Sequence, residues 1–471
     1  MAALILNELD YLDSVLYYPV LVVVLVVAGL YFSWRTRLVQ LRMCAESIRV
    51  VLEKPQGAES VSSFQALMVS TASRVGTGNI IGISTAICLG GPGSVFWMWL
   101  VAIIGGASAF IESTLAQIYK RRDSQGGSYG GPAYYIETAL HSRFIGAIFA
   151  LFLILTYAGG FNLLASYNLQ STFAVYSFYD KATTPWILGA IFAVLVGYCI
   201  LGGGKRIVRT TSWIVPIMGG IYVVAALYII LTHITYIPDV FALIFANAFD
   251  FQAIFGGIAG SCLMYGVKRG LYSNEAGIGS APNAAATADV SHPVKQGLVQ
   301  MLSVYLDTLV VCTATAMMCL CSGVPITKEA AGATYVQQAL TADLGSFGPI
   351  LITVCMALFA FSTLIGNLFY VDNCLTFLHG KVPSKSFMVA YRIIAALIIF
   401  VGAGMSMAAA WDIADIFMAF MCLINIPACA ILGTTAVKAM KDYERQKKEG
   451  KNPVFLAKNI GLDETNLDFW K

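Results

Sequence analysis

Apolar stretches long enough to cross a lipid bilayer recur along the whole 471-residue chain. A spanning helix needs about 20 mostly apolar residues, and helices and closed barrels are the structures that can pair every backbone polar group inside hydrocarbon. Charged residues make up 12% of the chain, about half their usual share in a soluble domain. We therefore predict an all-α polytopic membrane protein with about eleven transmembrane helices. The predicted spans lie near 17–34, 64–88, 94–118, 141–167, 185–201, 210–232, 252–267, 294–321, 345–376, 387–405 and 413–438.

The composition also narrows the class of function. The formal net charge is +3, which is too small to indicate a nucleic-acid partner. The eleven cysteines contain no C-x-x-C pair, and the four histidines lack metal-ligand spacing. Neither a disulfide framework nor a zinc site is therefore predicted, and no organic cofactor is expected.

Lysine and arginine are concentrated in alternate loops between the predicted spans. One side receives Lys181 and Lys328, whereas the other side receives the basic residues of five loops and of the C-terminal tail. Those basic clusters lie at 35–54, 120–122, 205–209, 268–269, 381–385 and 438–451. Because cytoplasmic loops carry an excess of Lys and Arg, we predict that the N-terminus lies outside the cell and the C-terminus in the cytoplasm.

The chain carries an internal repeat. "FQALMVSTASRVGTGN" begins at Phe64, "FQAIFGGIAGSCLMYG" begins at Phe251, and each copy opens a block of five predicted spans. Since five is odd, the second block must insert upside down relative to the first, which is the inverted repeat common in secondary transporters. The predicted segments are an N-terminal part with the extra helix (1–63), a first repeat (64–232), an external connection (233–250), a second repeat (251–438) and a cytoplasmic tail (439–471).

One predicted span contains residues that a membrane helix normally excludes. The stretch "RVGTGN" places Arg74, Gly76, Gly78 and Asn79 inside the second span. Glycines let a helix unwind, which frees N–H groups on one half-helix for a carboxylate and carbonyls on the other for a cation. A zwitterionic amino acid with Na⁺ is the simplest occupant, and close helix packing through small residues is the competing interpretation. The matching stretch "GGIAGSCLMYG" in the seventh span would supply the second wall of the site.

Four longer motifs closely resemble the alanine or glycine:cation symporter family. They are "SRVGTGNIIGISTAICLGGPGSVFWMW", "GGPAYYIETAL", "KRGLYSNEAGIGSAP" and "DTLVVCTAT", and the match runs from Phe64 to about Ala439. The resemblance implies the five-plus-five fold of the bacterial leucine transporter, with two broken helices and one extra N-terminal span. It also implies sodium-coupled uptake of small neutral amino acids across the plasma (inner) membrane of a prokaryote, with Na⁺ as the coupling ion and no cofactor.

The resemblance further implies where the ligands bind. The backbone amides of Thr77 and Gly78 would meet the substrate carboxylate, and a sodium ion would lie nearby, between the first broken helix and the ninth span. The sodium ligands would be the carbonyls of Ala72 and Val75 and the hydroxyls of Ser362 and Thr363, which belong to "FSTLIGN".

The identity of the substrate stays open at this point. Further substrate contacts are expected from Asn79, Asn168, Gly257, Gly260 and Met264. Many members of the family carry a Gln-x-Asn pair in the fourth span, where this chain reads "FNLLASYNLQS". The pair is missing at that register, and Asn168 and Gln170 lie a little further on. This departure leaves alanine, glycine, serine and glutamine as candidate substrates.

Ionisable residues inside a membrane are functional candidates because they are costly there. Arg74 and Glu112 stand out in consecutive spans, and we expect them to pair unless Arg74 reaches the cytoplasmic boundary. Asp307 is expected either beside Asn79 on the ion path or in local polar packing. Asp415 lies close to a span end and is expected to be solvated.

Other classes of function compete with a sodium symporter. A proton-coupled symporter or an exchanger would use a basic residue such as Arg74 in place of sodium. A membrane enzyme would need a catalytic constellation, and the sequence offers none, so enzymatic activity is not expected. The expected partners are an amino acid, Na⁺ and membrane lipid.

The predicted topology can be tested by labelling in intact cells. A membrane-impermeant thiol reagent should modify a single cysteine introduced near Ser14 and should not modify one introduced near Lys448. The chain's own eleven cysteines are replaced beforehand so that the signal has one source. Labelling near Lys448 without labelling near Ser14 would reverse the assigned orientation.

Overall fold

Helices account for nearly all regular structure in the computed structural model, which describes residues 8, 11–54, 57, 60–123, 127–250 and 261–471. Within these residues, strand structure is limited to a short antiparallel ribbon of β1 (Arg121–Arg122) and β2 (Ser128–Tyr129) and an isolated bridge between Val61 and Ala288. The prediction of an all-α protein is therefore confirmed.

The α-helices are numbered in chain order. The first ten are α1 (Val22–Arg35), α2 (Val39–Arg42), α3 (Cys44–Val51), α4 (Ser63–Arg74), α5 (Ile83–Gly90), α6 (Ser94–Ile118), α7 (Pro132–Leu140), α8 (Arg143–Ile154), α9 (Phe161–Ser171) and α10 (Thr184–Leu201). The next ten are α11 (Gly203–Thr232), α12 (Ile237–Ala248), α13 (Cys262–Asn274), α14 (Pro282–Ala285), α15 (Pro293–Tyr305), α16 (Thr313–Cys321), α17 (Ala333–Leu344), α18 (Phe347–His379), α19 (Lys385–Ala403) and α20 (Met407–Lys448).

Wider π-helical turns and short 3₁₀ turns join several of these helices. The π-helical turns are Leu16–Leu21, Gly78–Gly82, Leu155–Gly160 and Leu306–Cys312. The 3₁₀ turns are Thr172–Val175, Ile234–Tyr236 and Ala457–Ile460. Such π-helical turns inside helices occur frequently at functional sites, and the turns at Gly78–Gly82 and Leu306–Cys312 both carry residues of the candidate site.

Eight helical runs in the described residues are long and apolar enough to cross a membrane. They are α6, the run Arg143–Val175, α10, α11, the run Pro293–Cys321, α18, α19 and α20. The other three predicted spans fall on shorter helices, namely α1, the interrupted pair α4 and α5, and α13. These helices give the protein the architecture of a polytopic membrane protein.

The core is built around α6, which is buried along most of its length. It packs against α15 at very close range, because Gly297 has no side chain. A Cβ at this position would lie 2.2 Å from Oγ1 of Thr114 and 2.8 Å from the carbonyl oxygen of Phe110. Helix contacts of this kind, through small residues, are typical of membrane proteins.

The predicted end of the seventh span is wrong. Helix α13 continues to Asn274, seven residues beyond the predicted end at 267, so Lys268 and Arg269 lie inside a helix rather than in a cytoplasmic loop. Their side chains are 12% and 5% exposed. Two acidic residues from distant elements, Asp13 and Asp415, neutralise them, and this compensation makes their burial possible.

The C-terminal tail packs on the same face of the molecule as several basic loops. The indole N–H of Trp470 donates to the carbonyl of Gln117 at 2.8 Å, and the backbone N–H of Arg122 donates to the carboxylate of Asp468 at 2.9 Å. The N–H of Phe455 donates to the carbonyl of Ser291 at 2.9 Å. The tail and these loops therefore share one side, as the charge distribution predicts.

Candidate functional site

The first broken helix lies where the glycine-bearing motif predicts it. Helix α4 stops at Arg74, Val75 and Gly76 are not helical, and the chain resumes as a π-helical turn that leads into α5. The N–H of Val75 still bonds the carbonyl of Thr71 at 2.7 Å. The break therefore presents carbonyls from the end of one half-helix and N–H groups from the start of the next, and every residue of it is buried.

A second break lies between α13 and α14, at Glu275–Ala281, whereas the stretch predicted for it, 256–266, lies partly outside the described residues. Glu275 follows Asn274 with φ of +52°, and the glycines at 277 and 279 also have positive φ. Of the residues expected in the second wall, Gly257 and Gly260 lie outside the described part of the chain. Met264 is buried in the first turns of α13, eleven residues before the break.

A small buried cavity of about 10 Å³, roughly the room of one water molecule, lies between the two breaks. Both broken segments, the fourth predicted span and α18 contribute to its wall. The lining residues are Ser73, Arg74, Gly76, Thr77, Gly78, Phe161, Tyr272, Glu275 and Thr363. Four of the expected site residues thus face one cavity: Arg74, Thr77, Gly78 and Thr363.

The four expected sodium ligands are only partly brought together. The hydroxyl of Thr363 donates to the carbonyl of Ala72 at 3.2 Å, and Val75 lies in the break three residues further on. Ser362 points away from them, because its hydroxyl bonds the carbonyl of Phe359 at 2.9 Å and contacts the Met218 sulfur at 3.2 Å. The candidate site is therefore the corner formed by Ala72, Val75 and Thr363.

Asn79 and Asp307 form the centre of a second polar group. The side-chain oxygen of Asn79 accepts from the N–H of Gly76 at 2.8 Å, and its Nδ2 donates to Oδ1 of Asp307 at 2.6 Å. The other oxygen of Asp307 accepts from the hydroxyls of Ser273 and Thr308, both at 2.8 Å. Asp307 therefore lies beside Asn79 and also takes part in local polar packing with Thr308, so both of its expected contacts are present. All of these donors are neutral, so they do not cancel the carboxylate charge.

Asn168 also lies close to the first break. Its Nδ2 donates to the hydroxyl of Thr77 at 3.0 Å. Its Oδ1 is buried and has no hydrogen-bond partner among the described residues. Asn168 is therefore positioned to hold the Thr77 side chain. Although it comes later in the sequence than the amide pair common in the family, it still reaches the site.

Arg74 has a different carboxylate partner from the one expected. Its Nε lies 4.0 Å from Oε2 of Glu275, and its Nη1 donates to the carbonyl of Gln300 at 3.3 Å. Glu112, the expected partner, accepts instead from the side-chain amide of Asn425 at 2.8 Å and from the N–H of Gly277 at 3.3 Å. Glu112 thus supports the second break, and Arg74 stays buried rather than reaching a membrane boundary.

An aromatic cover, formed by Phe161, Tyr272 and Trp411, closes one side of the cavity. The ring of Tyr272 lies 4.8 Å from that of Phe161 and 4.9 Å from that of Trp411, measured between centroids. The guanidinium of Arg269 stacks on Trp411, with its central carbon 3.7 Å from the ring centroid, a geometry typical of a cation–π contact.

Asp415 anchors this cover from the far side. It is buried, contrary to the expectation that it would be solvated, and one of its oxygens lies 3.1 Å from both Arg269 and Lys268. Lys268 also pairs with Asp13, which precedes α1. Two cations and two carboxylates thus balance one another, and they tie the extra N-terminal helix to the cover.

Sequence reasoning missed Glu275, the one carboxylate that lines the cavity in the described structure. It lies in "SNEAGIGSAP", which sequence patterns place in a loop after the seventh span because Lys268 and Arg269 look like its cytoplasmic flank. The signal that could have found it is the pair of glycines at 277 and 279, two and four residues after an acidic residue. This pattern mirrors the glycines that follow Arg74 in the first break.

Comparisons with known proteins show which family the sequence resembles. The profile of the sodium:alanine symporter family matches residues 2–457. The chain is 43% identical to the amino-acid carrier protein AlsT of Bacillus subtilis over 99% of its own length and 98% of the relative's. It is also 43% identical to the probable sodium/glutamine symporter GlnT of the same organism, covering 97% and 94% of the two chains.

The fold is confirmed by solved structures. The crystal structure of MhsT in complex with L-phenylalanine superposes with a TM-score of 0.54 at 15% identity, covering 82% of this chain and 92% of that one. MhsT has the leucine-transporter fold, which is the fold that the sequence motifs imply.

The close approach of Tyr272 to Gly78 yields a prediction. A Cβ at residue 78 would lie 2.4 Å and 2.7 Å from two carbons of the Tyr272 ring, so Gly78→Val should fill the space between the first break and the aromatic cover. We expect this variant to insert normally and to lose transport. Gly219→Val is the matched control, since a Cβ there meets no atom within 4 Å. Transport by a well-expressed Gly78→Val protein at the level of the Gly219→Val protein would show that the ligand does not use this space.

Proposed function

The chain belongs to the sodium:alanine symporter family, and we propose that it is a secondary active transporter that takes up a small neutral amino acid together with Na⁺. The observation that carries this proposal is the meeting of two broken helices on one buried cavity. The N–H groups at the start of the second half-helix suit a carboxylate. The carbonyl of Ala72 and the hydroxyl of Thr363 suit a hard cation.

The charges around the breaks support coupling to a cation. Among the described residues that meet there, Glu112, Glu275 and Asp307 are fully buried, and Arg74 is the one buried guanidinium beside them. Uncompensated buried charge is costly, so these carboxylates favour binding of a cation when the site fills. Sodium prefers the oxygen ligands that this region offers.

The rings of Phe161 and Tyr272 form part of the cavity wall and limit the space beside the first break. The proposed substrate is one of the four amino acids that the sequence leaves open, namely alanine, glycine, serine and glutamine, with alanine the first to test.

Alternating access would require the two closed sides to open in turn. On one side the aromatic cover rests on Asp415 and its cations, and on the other the tail packs against the loop that follows α14. We propose that the inverted repeat rocks around the fixed cavity, as in other transporters of this plan. The first side is then external and the second cytoplasmic.

Uptake by purified protein in liposomes tests the proposal. A panel of labelled amino acids is offered with an inward sodium gradient, with an inward proton gradient, and with neither. We expect accumulation of alanine, glycine, serine or glutamine that depends on the sodium gradient. Accumulation driven by protons without sodium would favour a proton symporter, and exchange without any gradient would favour an exchanger.

The hydroxyl of Thr363 gives a sharper test of the cation site. Removing one oxygen ligand should weaken sodium binding without destroying it, so Thr363→Ala should raise the sodium concentration for half-maximal uptake roughly tenfold, about 1.4 kcal/mol. Thr363→Ser keeps the oxygen and should be milder. Ser362→Ala is the neighbouring control, because that hydroxyl faces Phe359 and Met218. If Ser362→Ala needs more sodium for half-maximal uptake and Thr363→Ala does not, the sodium ion does not bind beside Ala72.

A further inference from the structure

Glu275 occupies a backbone conformation that its side chain does not favour. Its φ is +52°, in the left-handed region that glycine and asparagine adopt most easily. The residue lies directly after α13, where glycine is the usual choice for ending a helix. A glutamate here carries a conformational cost, which points to a role for its carboxylate.

The carboxylate faces the cavity and is held by neutral groups. Oε1 accepts from the hydroxyl of Ser73 at 3.1 Å, and Oε2 accepts from the hydroxyl of Ser280 at 2.7 Å. Ser73 lies in the last turn of α4, beside the first break, and Ser280 lies in the second break, so the carboxylate is fixed between them. Neither hydroxyl neutralises its charge, and the side chain is 1% exposed.

Arg74 does not satisfy Glu275 either. A charge-assisted hydrogen bond between guanidinium and carboxylate has a length of about 2.7–2.9 Å, whereas the Nε of Arg74 lies 4.0 Å from Oε2 of Glu275. The Nε and Nη2 of Arg74 have no hydrogen-bond partner among the described residues. The pair is loose, and Glu275 retains acceptor capacity toward the cavity.

We propose that Glu275 binds the α-ammonium group of the substrate. The inference rests on the proposed function, since it assigns one end of the amino acid whose carboxylate meets the amides of the first break. Amides at one wall and a carboxylate at the other match the two ends of a zwitterion. The ammonium group would supply the positive charge that the two serine hydroxyls do not bring to Glu275.

This assignment makes the α-amino group essential for binding. L-Lactate has the carbon skeleton of L-alanine with a hydroxyl in place of the ammonium, so it offers the same carboxylate and methyl group without the charge. The wild-type protein should therefore discriminate strongly against lactate. Glu275 and not the carboxylate-binding amides should be the source of that discrimination.

The test compares Glu275→Gln with the wild-type protein in liposomes under a sodium gradient. Labelled alanine is taken up in the presence of increasing unlabelled alanine or lactate. Glu275→Gln should raise the KM for alanine at least tenfold, because the charge is lost, and should leave inhibition by lactate unchanged or stronger. The ratio of the two inhibition constants should therefore fall at least tenfold.

Two further variants separate binding from structure. Glu275→Asp keeps the charge and should restore part of the preference for alanine. Glu112→Gln removes a buried carboxylate that supports the second break through Asn425 and Gly277 but does not line the cavity. It should lower activity while leaving the alanine-to-lactate ratio at the wild-type value.

A binding measurement covers the case in which Glu275→Gln is inactive in transport. Alanine at saturating sodium should raise the melting temperature of the purified wild-type protein, lactate should not, and alanine should lose its effect on Glu275→Gln. Equal stabilisation of both proteins by alanine, or an unchanged inhibition ratio, would overturn the assignment to Glu275.

The sodium dependence of uptake separates Glu275 from a cation site. If Glu275→Gln needs more sodium for half-maximal uptake while the inhibition ratio is unchanged, the assignment is overturned and Glu275 is a cation ligand. A wild-type protein that accumulates no amino acid would refute the proposed function, whereas stabilisation by alanine would still report on Glu275.

Discussion

Among the described residues, three buried carboxylates share one buried guanidinium where the two broken helices meet. Glu112, Glu275 and Asp307 are bonded by amides, N–H groups and hydroxyls, and Glu275 lies 4.0 Å from Arg74. Neutral donors orient a carboxylate, but they leave the charge of an ionised carboxylate in a low-dielectric interior, where it is costly unless a proton or another cation offsets it. The region around the two breaks is therefore prepared for positive charge, and a sodium ion and an ammonium group are the two cations that a neutral amino acid symporter brings.

The surrounding structure keeps that charge away from water. Helix α6 packs tightly on α15, the aromatic cover closes one side, and the tail and its loops close the other. The cover carries its own charges, but these are balanced, since Lys268 and Arg269 face Asp13 and Asp415. The charge-balanced cluster of Lys268, Arg269, Asp13 and Asp415 holds helices together. The carboxylates at the breaks outnumber the cations beside them, so they can bind a cationic ligand.

The first break and the second differ in how far the sequence predicts them. The first is visible because Gly76 and Gly78 interrupt an apolar span beside Arg74. The second escapes prediction because Lys268 and Arg269 resemble the cytoplasmic end of a span, and only their partners on distant elements make their burial possible. Pairings of this kind, like the choice of Thr363 over Ser362 at the candidate cation site, depend on packing between elements far apart in the chain. Local patterns give the helices and the first half of the site, but not these contacts.

The central claim is that sodium and the amino acid bind together because each offsets buried negative charge. Calorimetric titration of alanine into the purified protein, at a series of sodium concentrations with potassium replacing sodium, tests it most directly. Linkage requires that sodium raise the affinity for alanine by the same factor by which alanine raises the affinity for sodium. We expect an alanine affinity that rises with sodium to a plateau, with no detectable binding in potassium alone. An alanine affinity that is the same in sodium and in potassium would contradict it.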